Sequence, residues 1–264
     1  MFTGECYSEA LRLTTRVNVI LPEPGCDATP VCTGTPKTLY LLHGLGADAG
    51  EWARLSKIEY YAKKYNFIVV MPEVHRSFYT DAVSGPRYFT YVCEELPALC
   101  EKWLRLPAGR ENTFVAGESM GGYGAVKCAL RVPERFGAAA TLSGALDLPA
   151  LMRRVQSGAW PEMLPQEAQA LFGPDGSVPA ADDVIALVRM AAKDPDRPRL
   201  IQLCGTEDFL YEDNRAFRTA AEQAGYGHTY MEWPGEHAWP FWDAAIQRAL
   251  QFFCGLSLTE TPLY

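Results

Sequence analysis

At 264 residues, 48% hydrophobic and 21% charged, the chain has the size and composition of one ordinary globular unit with a sizeable core. Its net charge of −8, with no Lys/Arg cluster to offset it, excludes a nucleic-acid partner, which needs basic groups set against phosphate, and favours neutral over strongly anionic substrates. No apolar run reaches the roughly 18–20 residues that span a bilayer, so no membrane partner is expected.

The N-terminus, Met1–Cys6, has neither a basic n-region nor an apolar h-region, so no signal peptide is expected and the predicted location is cytoplasmic. The chain contains 8 cysteines but no C-x-x-C pair, which gives no support to a zinc or thioredoxin-type site. Cys93, Cys100, Cys128, Cys204 and Cys254 fall in apolar helix or strand patterns. Only Cys26 and Cys32, flanking a Pro/Gly loop, look placed for a bridge, and a reducing compartment argues against it.

In chain order, Ser8–Leu13 and Thr15–Leu21 alternate apolar and polar residues and predict a leading hairpin. After a Pro/Gly-rich loop, 22–36, the run Thr38–Leu42 reads as a strand buried on both faces. A helix is predicted over Glu51–Tyr65, a strand over Phe67–Met71, a helix over Tyr91–Arg105 and a strand over Thr113–Ala116. Gly121–Arg131 is helical in spacing and Ala138–Leu142 again a buried strand. Residues 147–198 break this rhythm, with helical patterns over Pro149–Gln156, Gln166–Phe172 and Ala181–Ala192 separated by Pro and Gly. The series resumes with the strand Arg199–Leu203, the helix Asn214–Ala224, the strand His228–Trp233 and a closing helix from Ala238 or Trp239 to Phe253.

Short apolar strands alternating with helices predict βαβ units. The expectation is a single α/β domain, 1–264: eight strands in a mostly parallel sheet, helices on both faces, and a cap-like insertion at 147–198 at the carboxyl edge.

Gly117-Glu-Ser-Met-Gly121 fits G-x-S-x-G and sits directly between a buried strand and a helix, where a nucleophile elbow belongs. Ser119 is therefore the candidate nucleophile. A serine hydroxyl needs a base, and the chain holds only 4 histidines. His237 lies between the last strand and the last helix, at the same sheet edge as Ser119, and follows it in the order Ser…Asp…His. His228 opens its strand at the opposite edge and reads as structural, while His75 has the wrong order for a base. Asp208, just after the strand ending at Leu203, is the candidate to orient the imidazole; Glu207, Asp213 and Asp147 are its competitors. The oxyanion donors are expected to be the backbone N–H groups of Met120, after the nucleophile, and of Leu45 in the loop His43-Gly-Leu-Gly46. His43 itself is expected to pack beneath that loop and fix it by hydrogen bonds. No cofactor and no metal are required.

With these residues placed, the chain resembles the putative-esterase group of α/β-hydrolases, which includes tributyrin esterases, esterase D (S-formylglutathione hydrolase), feruloyl esterases and mycolyltransferase antigens. The resemblance rests on Val17–Pro22, Leu41–Gly46, Ser77–Asp81, Glu94–Pro97, Gly117–Gly122 and Gly235–Trp242, covers nearly the whole chain, and is strongest to the tributyrin-esterase branch. It implies a serine carboxylesterase with the triad Ser119, Asp208 and His237, oxyanion donors Leu45 and Met120, and short-chain acyl esters as substrates, including acylated sugars; a feruloyl esterase is the alternative. The Thr-Cys pair of esterase D proteins is replaced by Ala47-Asp48 after Gly46, which argues against formylglutathione. A non-catalytic binding module on the same scaffold predicts a missing triad member, whereas all three are present in order. Tyr79, Trp160 and Trp239, in segments expected at the site mouth, are candidate substrate-binding walls. The expected partner is a small ester, and an acidic surface with sheet edges permits a homodimer.

Overall fold

The computed structural model describes residues 1–23, 30–107 and 109–258. Its centre is an eight-stranded sheet built from β1 (Phe2–Ser8), β2 (Leu13–Ile20), β3 (Lys37–Leu42), β4 (Phe67–Pro72), β5 (Thr113–Glu118), β6 (Ala138–Leu142), β7 (Arg199–Gly205) and β8 (Thr229–Trp233), in the spatial order β1-β2-β4-β3-β5-β6-β7-β8. The β1–β2 and β2–β4 pairs are antiparallel and the remaining pairs parallel. This is the α/β-hydrolase fold expected from the sequence, with helices on both faces.

Alternation along the strands divides the core in two. Tyr40, Val70, Val115 and Ala139 face one side, covered by α4 (Leu96–Leu104), α5 (Met120–Arg131), α6 (Leu148–Gln156), α7 (Pro165–Phe172), α8 (Val184–Ala191) and α9 (Tyr211–Ala224). Leu39, Leu41, Phe114 and Ala116 face the other, covered by α1 (Glu51–Leu55), α2 (Ile58–Tyr65) and α10 (Trp239–Cys254). A short α3 (Tyr88–Thr90) and a π-helical turn, Tyr91–Glu95, lead into α4.

Among the boundaries that differ from the sequence expectation, three have an evident cause. The hairpin lies earlier, with its turn at 9–12 where the first strand, Ser8–Leu13, was expected. The reason is tertiary: Glu95 accepts from the Ser8 hydroxyl (2.5 Å) and from the Glu9 and Ala10 amides (2.8 and 3.3 Å), while Arg12 takes a left-handed φ of 56°. The single helix expected over Glu51–Tyr65 is two. Ser56 ends α1 in extended backbone, its hydroxyl donates to Trp52 O (2.6 Å), and Asp243 of α10 accepts from Lys57 N (2.8 Å). The third helix of the 147–198 segment starts at Val184 rather than Ala181, because Asp183 caps it through the Ile185 and Ala186 amides (3.0 and 3.1 Å). Cys26 lies outside the described residues; Cys32 instead meets Cys254 at the end of α10, Sγ to Sγ 2.7 Å.

Asp182, turned inward just before that cap, accepts from the Lys127 ammonium of α5 (2.9 Å). Lys127 is fully buried and also donates to Thr80 Oγ1 (2.7 Å) and Phe78 O (3.0 Å), so one cation ties α5 to the loop after β4 and to the segment between β6 and β7. Removing one member of a buried pair leaves the other charge uncompensated. Lys127→Met is expected to lower the unfolding free energy by about 3–5 kcal/mol in urea titration. Adding Asp182→Asn should recover at least about 1 kcal/mol of that loss, because the buried carboxylate, otherwise left with only the half-exposed Arg131 at 3.9 Å, is removed.

Candidate active site

Parallel strands β3 to β8 all end at one edge, and the loops that leave this edge carry the candidate residues. After β5, Gly117 and Gly121 let the chain fold back on itself. A Cβ on Gly121 would stand 2.4 Å from Leu42 O, and one on Gly117 would stand 2.5 Å from the Gly121 carbonyl carbon. Between them Ser119 is held at φ 53°, ψ −119°, a conformation that L-residues rarely adopt, at the N-cap of α5.

Asp208 follows β7 and His237 follows β8. The Ser119 hydroxyl donates to His237 Nε2 (2.9 Å), and His237 Nδ1–H donates to Asp208 Oδ2 and Oδ1 (2.9 and 3.0 Å). The Asp208 side chain is fully shielded from solvent and is itself held by the Leu210 amide (2.8 Å), which fixes its orientation toward the ring. Its three competitors are engaged elsewhere. Glu207 accepts from the Gly235 amide, Asp213 pairs with Arg154 of α6, and Asp147 caps α6 through the Ala150 amide (3.0 Å).

The loop after β3 has an accountable set of backbone bonds. Tyr79 Oη donates to His43 O (2.7 Å), His43 Nδ1–H donates to Gly44 O (2.8 Å), and the Val74 amide donates to His43 Nε2 (3.1 Å). His43 is thus a buried brace under the loop, with the Glu73 carboxyl 3.5 Å from its Nε2. The Leu45 and Met120 N–H groups have no protein acceptor among the described residues, and Leu45 lines the same cleft as Ser119 and His237.

The match to the family described as putative esterase runs from residue 8 to residue 253. The chain belongs to that family. It is a serine esterase. An acetyl esterase of Caldicellulosiruptor saccharolyticus is 30% identical over 257 residues, covering 95% of this chain and 97% of its own. Among solved structures, the esterase superposes on FphF, a fluorophosphonate-binding serine hydrolase of Staphylococcus aureus, with a TM-score of 0.84 at 32% identity, covering 96% of this chain and 97% of that one. It superposes on the S-formylglutathione hydrolase FrmB of the same organism with a TM-score of 0.81, again at 32% identity and with the same coverage.

The cleft of the esterase, about 470 Å³, is lined by Leu45, Arg76, Ser119, Trp160, Pro161, Glu162, Phe209 and His237. Trp160, expected at its wall, is there. Tyr79, also expected there, is not. It is fully buried, its ring lies against Gly124 of α5, and its hydroxyl is spent on His43 O. Trp239 is likewise absent from the lining; its ring meets Trp52 and Trp242 edge-on at 5.0 and 5.2 Å, within the aromatic cluster of α1 and α10. Two contributors escaped the sequence reading. Phe209, 58% exposed, sets its ring 4.4 Å from the His237 ring, and it adjoins Asp208 in sequence. Arg76 reaches from the β4 loop to Glu167 (Nε to Oε1, 2.6 Å) and to Glu162 O (Nη2, 2.5 Å), so it also secures the Trp160–Glu162 wall; no local pattern announces this. His228 is remote from the site and donates to Gln202 Oε1 (3.2 Å).

This placement of Tyr79 has a direct check. Tyr79→Phe leaves the buried His43 carbonyl without its donor and should cost about 1–3 kcal/mol in thermal or urea unfolding. KM for a small ester should stay within about twofold of wild type, whereas a substrate-wall role would raise it.

Proposed function

We propose that the esterase hydrolyses short-chain acyl esters of small alcohols, acylated sugars among them, through an acyl-enzyme on Ser119. The observation that carries the reading is the unbroken hydrogen-bond chain from Ser119 Oγ through His237 to Asp208. In this reading Ser119 Oγ attacks the ester carbonyl carbon while its proton passes to His237 Nε2. The carbonyl π electrons move to oxygen, and the resulting oxyanion is met by the Leu45 and Met120 N–H groups. Collapse of the tetrahedral adduct breaks the bond to the alcohol oxygen, which leaves with the proton held by His237. Water then attacks the acyl-Ser119 ester, again giving its proton to His237, and a second collapse frees the acid and restores the serine. Asp208 stays ionised throughout, keeping Nδ1 protonated and Nε2 free to accept.

Substrate size is supported by the cleft, whose volume lies toward the lower end of the range for small-molecule sites. Leu45, Trp160, Pro161 and Phe209 give it apolar walls, and Trp160 offers an indole face on which a sugar ring can stack. The acetyl esterase among the relatives agrees with a small acyl group.

Ser119→Ala and His237→Ala should each reduce kcat on p-nitrophenyl acetate by roughly 10³- to 10⁶-fold with little change in KM, and Asp208→Asn by about 10⁴-fold. Comparable turnover by wild type and Ser119→Ala would contradict the mechanism. Acetylated xylo-oligosaccharides and methyl ferulate assayed side by side test the substrate class: kcat/KM should favour the acetyl ester by at least about tenfold. A preference for methyl ferulate would instead assign a feruloyl esterase.

A further inference from the structure

Alternation along β5 places Glu118 on the same face as Phe114 and Ala116, toward α1 and α10 and away from solvent. The side chain is only 2% exposed and forms no salt bridge among the described residues. Its carboxyl group lies directly beneath the loop after β3. A Cβ on Gly44 would stand 2.5 and 2.6 Å from the two carboxyl oxygens, so only glycine allows this approach, and the Gly44 backbone amide is close enough to draw the carboxyl pKa partly back down. The remaining polar groups of this stretch are committed too. The His43 carbonyl is taken by Tyr79 and the Gly44 carbonyl by His43, leaving Leu45 N–H as the next free donor.

We propose that Glu118 is a positioning residue of the oxyanion loop, holding the Gly44 peptide so that the following amide, Leu45, is aimed at the carbonyl attacked by Ser119. The proposal rests on the reading of Ser119 as nucleophile and goes beyond it. Glu118 immediately precedes Ser119, and Gly44 immediately precedes Leu45, so one carboxyl group braces both sides of the oxyanion site.

This role requires an uncharged carboxyl. An anion here would oppose the negative charge that develops on the substrate oxygen, and no cation compensates it. The groups facing Glu118 are the Glu51 carboxylate of α1, which repels a second negative charge, and the buried Tyr79 phenol. Burial, reinforced by Glu51, pushes the Glu118 carboxyl up to about 8. Below that pH Glu118 is neutral and the loop amides see no opposing charge. As pH rises through it, the proton is lost and oxyanion stabilisation weakens.

The test is the pH dependence of kcat on p-nitrophenyl acetate, from pH about 6 to about 9.5, for wild type, Glu118→Gln, Glu118→Ala and Ser119→Ala. Wild type should lose activity on an alkaline limb above about pH 8, while Glu118→Gln, which fills the same space beneath Gly44 but cannot ionise, should match wild type near pH 7 and lack that limb. Glu118→Ala should lower kcat at pH 7 by roughly 10- to 100-fold with KM within about threefold, as expected when an oxyanion donor loses its aim. A merely structural Glu118 would leave the profile unmoved. An alkaline limb absent from wild type or equally present in Glu118→Gln overturns the proposal, as does wild-type kcat in Glu118→Ala. Should Glu118→Ala fail to fold, the Glu118→Gln profile decides alone. Full activity in Ser119→Ala contradicts the nucleophile reading and this proposal together. An inactive Ser119→Ala beside an unaltered Glu118→Gln profile contradicts this proposal alone.

Discussion

The backbone of Ser119 is held at φ 53° by the close approach of three chain segments, and that approach organises the whole carboxyl edge of the sheet. A non-glycine residue in such a conformation costs of order 1–3 kcal/mol and persists only where its surroundings over-determine it. Here the surroundings are explicit. Gly121 sits against the Leu42 and His43 carbonyls, Gly117 sits against Gly121, and the Ser119 amide and carbonyl are bound to Leu142 O (2.9 Å) and the Ala145 amide (3.2 Å). The same contacts bring the first turn of α5 against the loop after β3, whose Leu45 lines the same cleft as Ser119. Helix α5 is buried along almost its entire length, and the Lys127–Asp182 pair anchors it, so the strain has a large packed element to resist it.

Around that elbow the buried polar groups fall into two sets. On one side, Asp208 is buried yet hydrogen-bonded by the Leu210 amide and His237, so its charge has partners and can stabilise an imidazolium. On the other, Glu118 and His43 are buried beside the loop after β3, and the Glu73 carboxyl lies 3.5 Å from His43 Nε2. The segment between β6 and β7 supplies the outer wall. Its Trp160–Glu162 stretch is held by Arg76, and its α6 by the Arg154–Asp213 pair, so this wall is fastened to the loops of the sheet edge at two points.

Most of the fold was legible because the sheet is buried on both faces. Runs such as Thr38–Leu42 and Phe67–Met71 read as strands with little ambiguity, and their parallel order fixed the edge where Ser119, Asp208 and His237 had to meet. The G-x-S-x-G spacing located the elbow through a steric rule, and His237 through chain order. What escaped depended on distant partners. The hairpin turn is set by Glu95 and the break between α1 and α2 by Asp243, whereas the start of α8 is a local effect of the Asp183 cap. Tyr79 looked like a pocket wall because its segment leaves the catalytic edge, but local pattern cannot say that its ring folds back over Gly124. Glu118, in the variable position before the serine, carries its information in what lies above it, which is the Gly44 backbone.

The central claim is that chemistry passes through Ser119 as a covalent acyl-enzyme. Rapid mixing with p-nitrophenyl acetate, acid quenching and peptide mass spectrometry test it most directly. The account predicts one acetyl group on the hydroxyl of Ser119, accumulating within the burst of p-nitrophenol release. Turnover with no acetylated peptide, or with the acetyl group on another residue while Ser119 stays free, would contradict it.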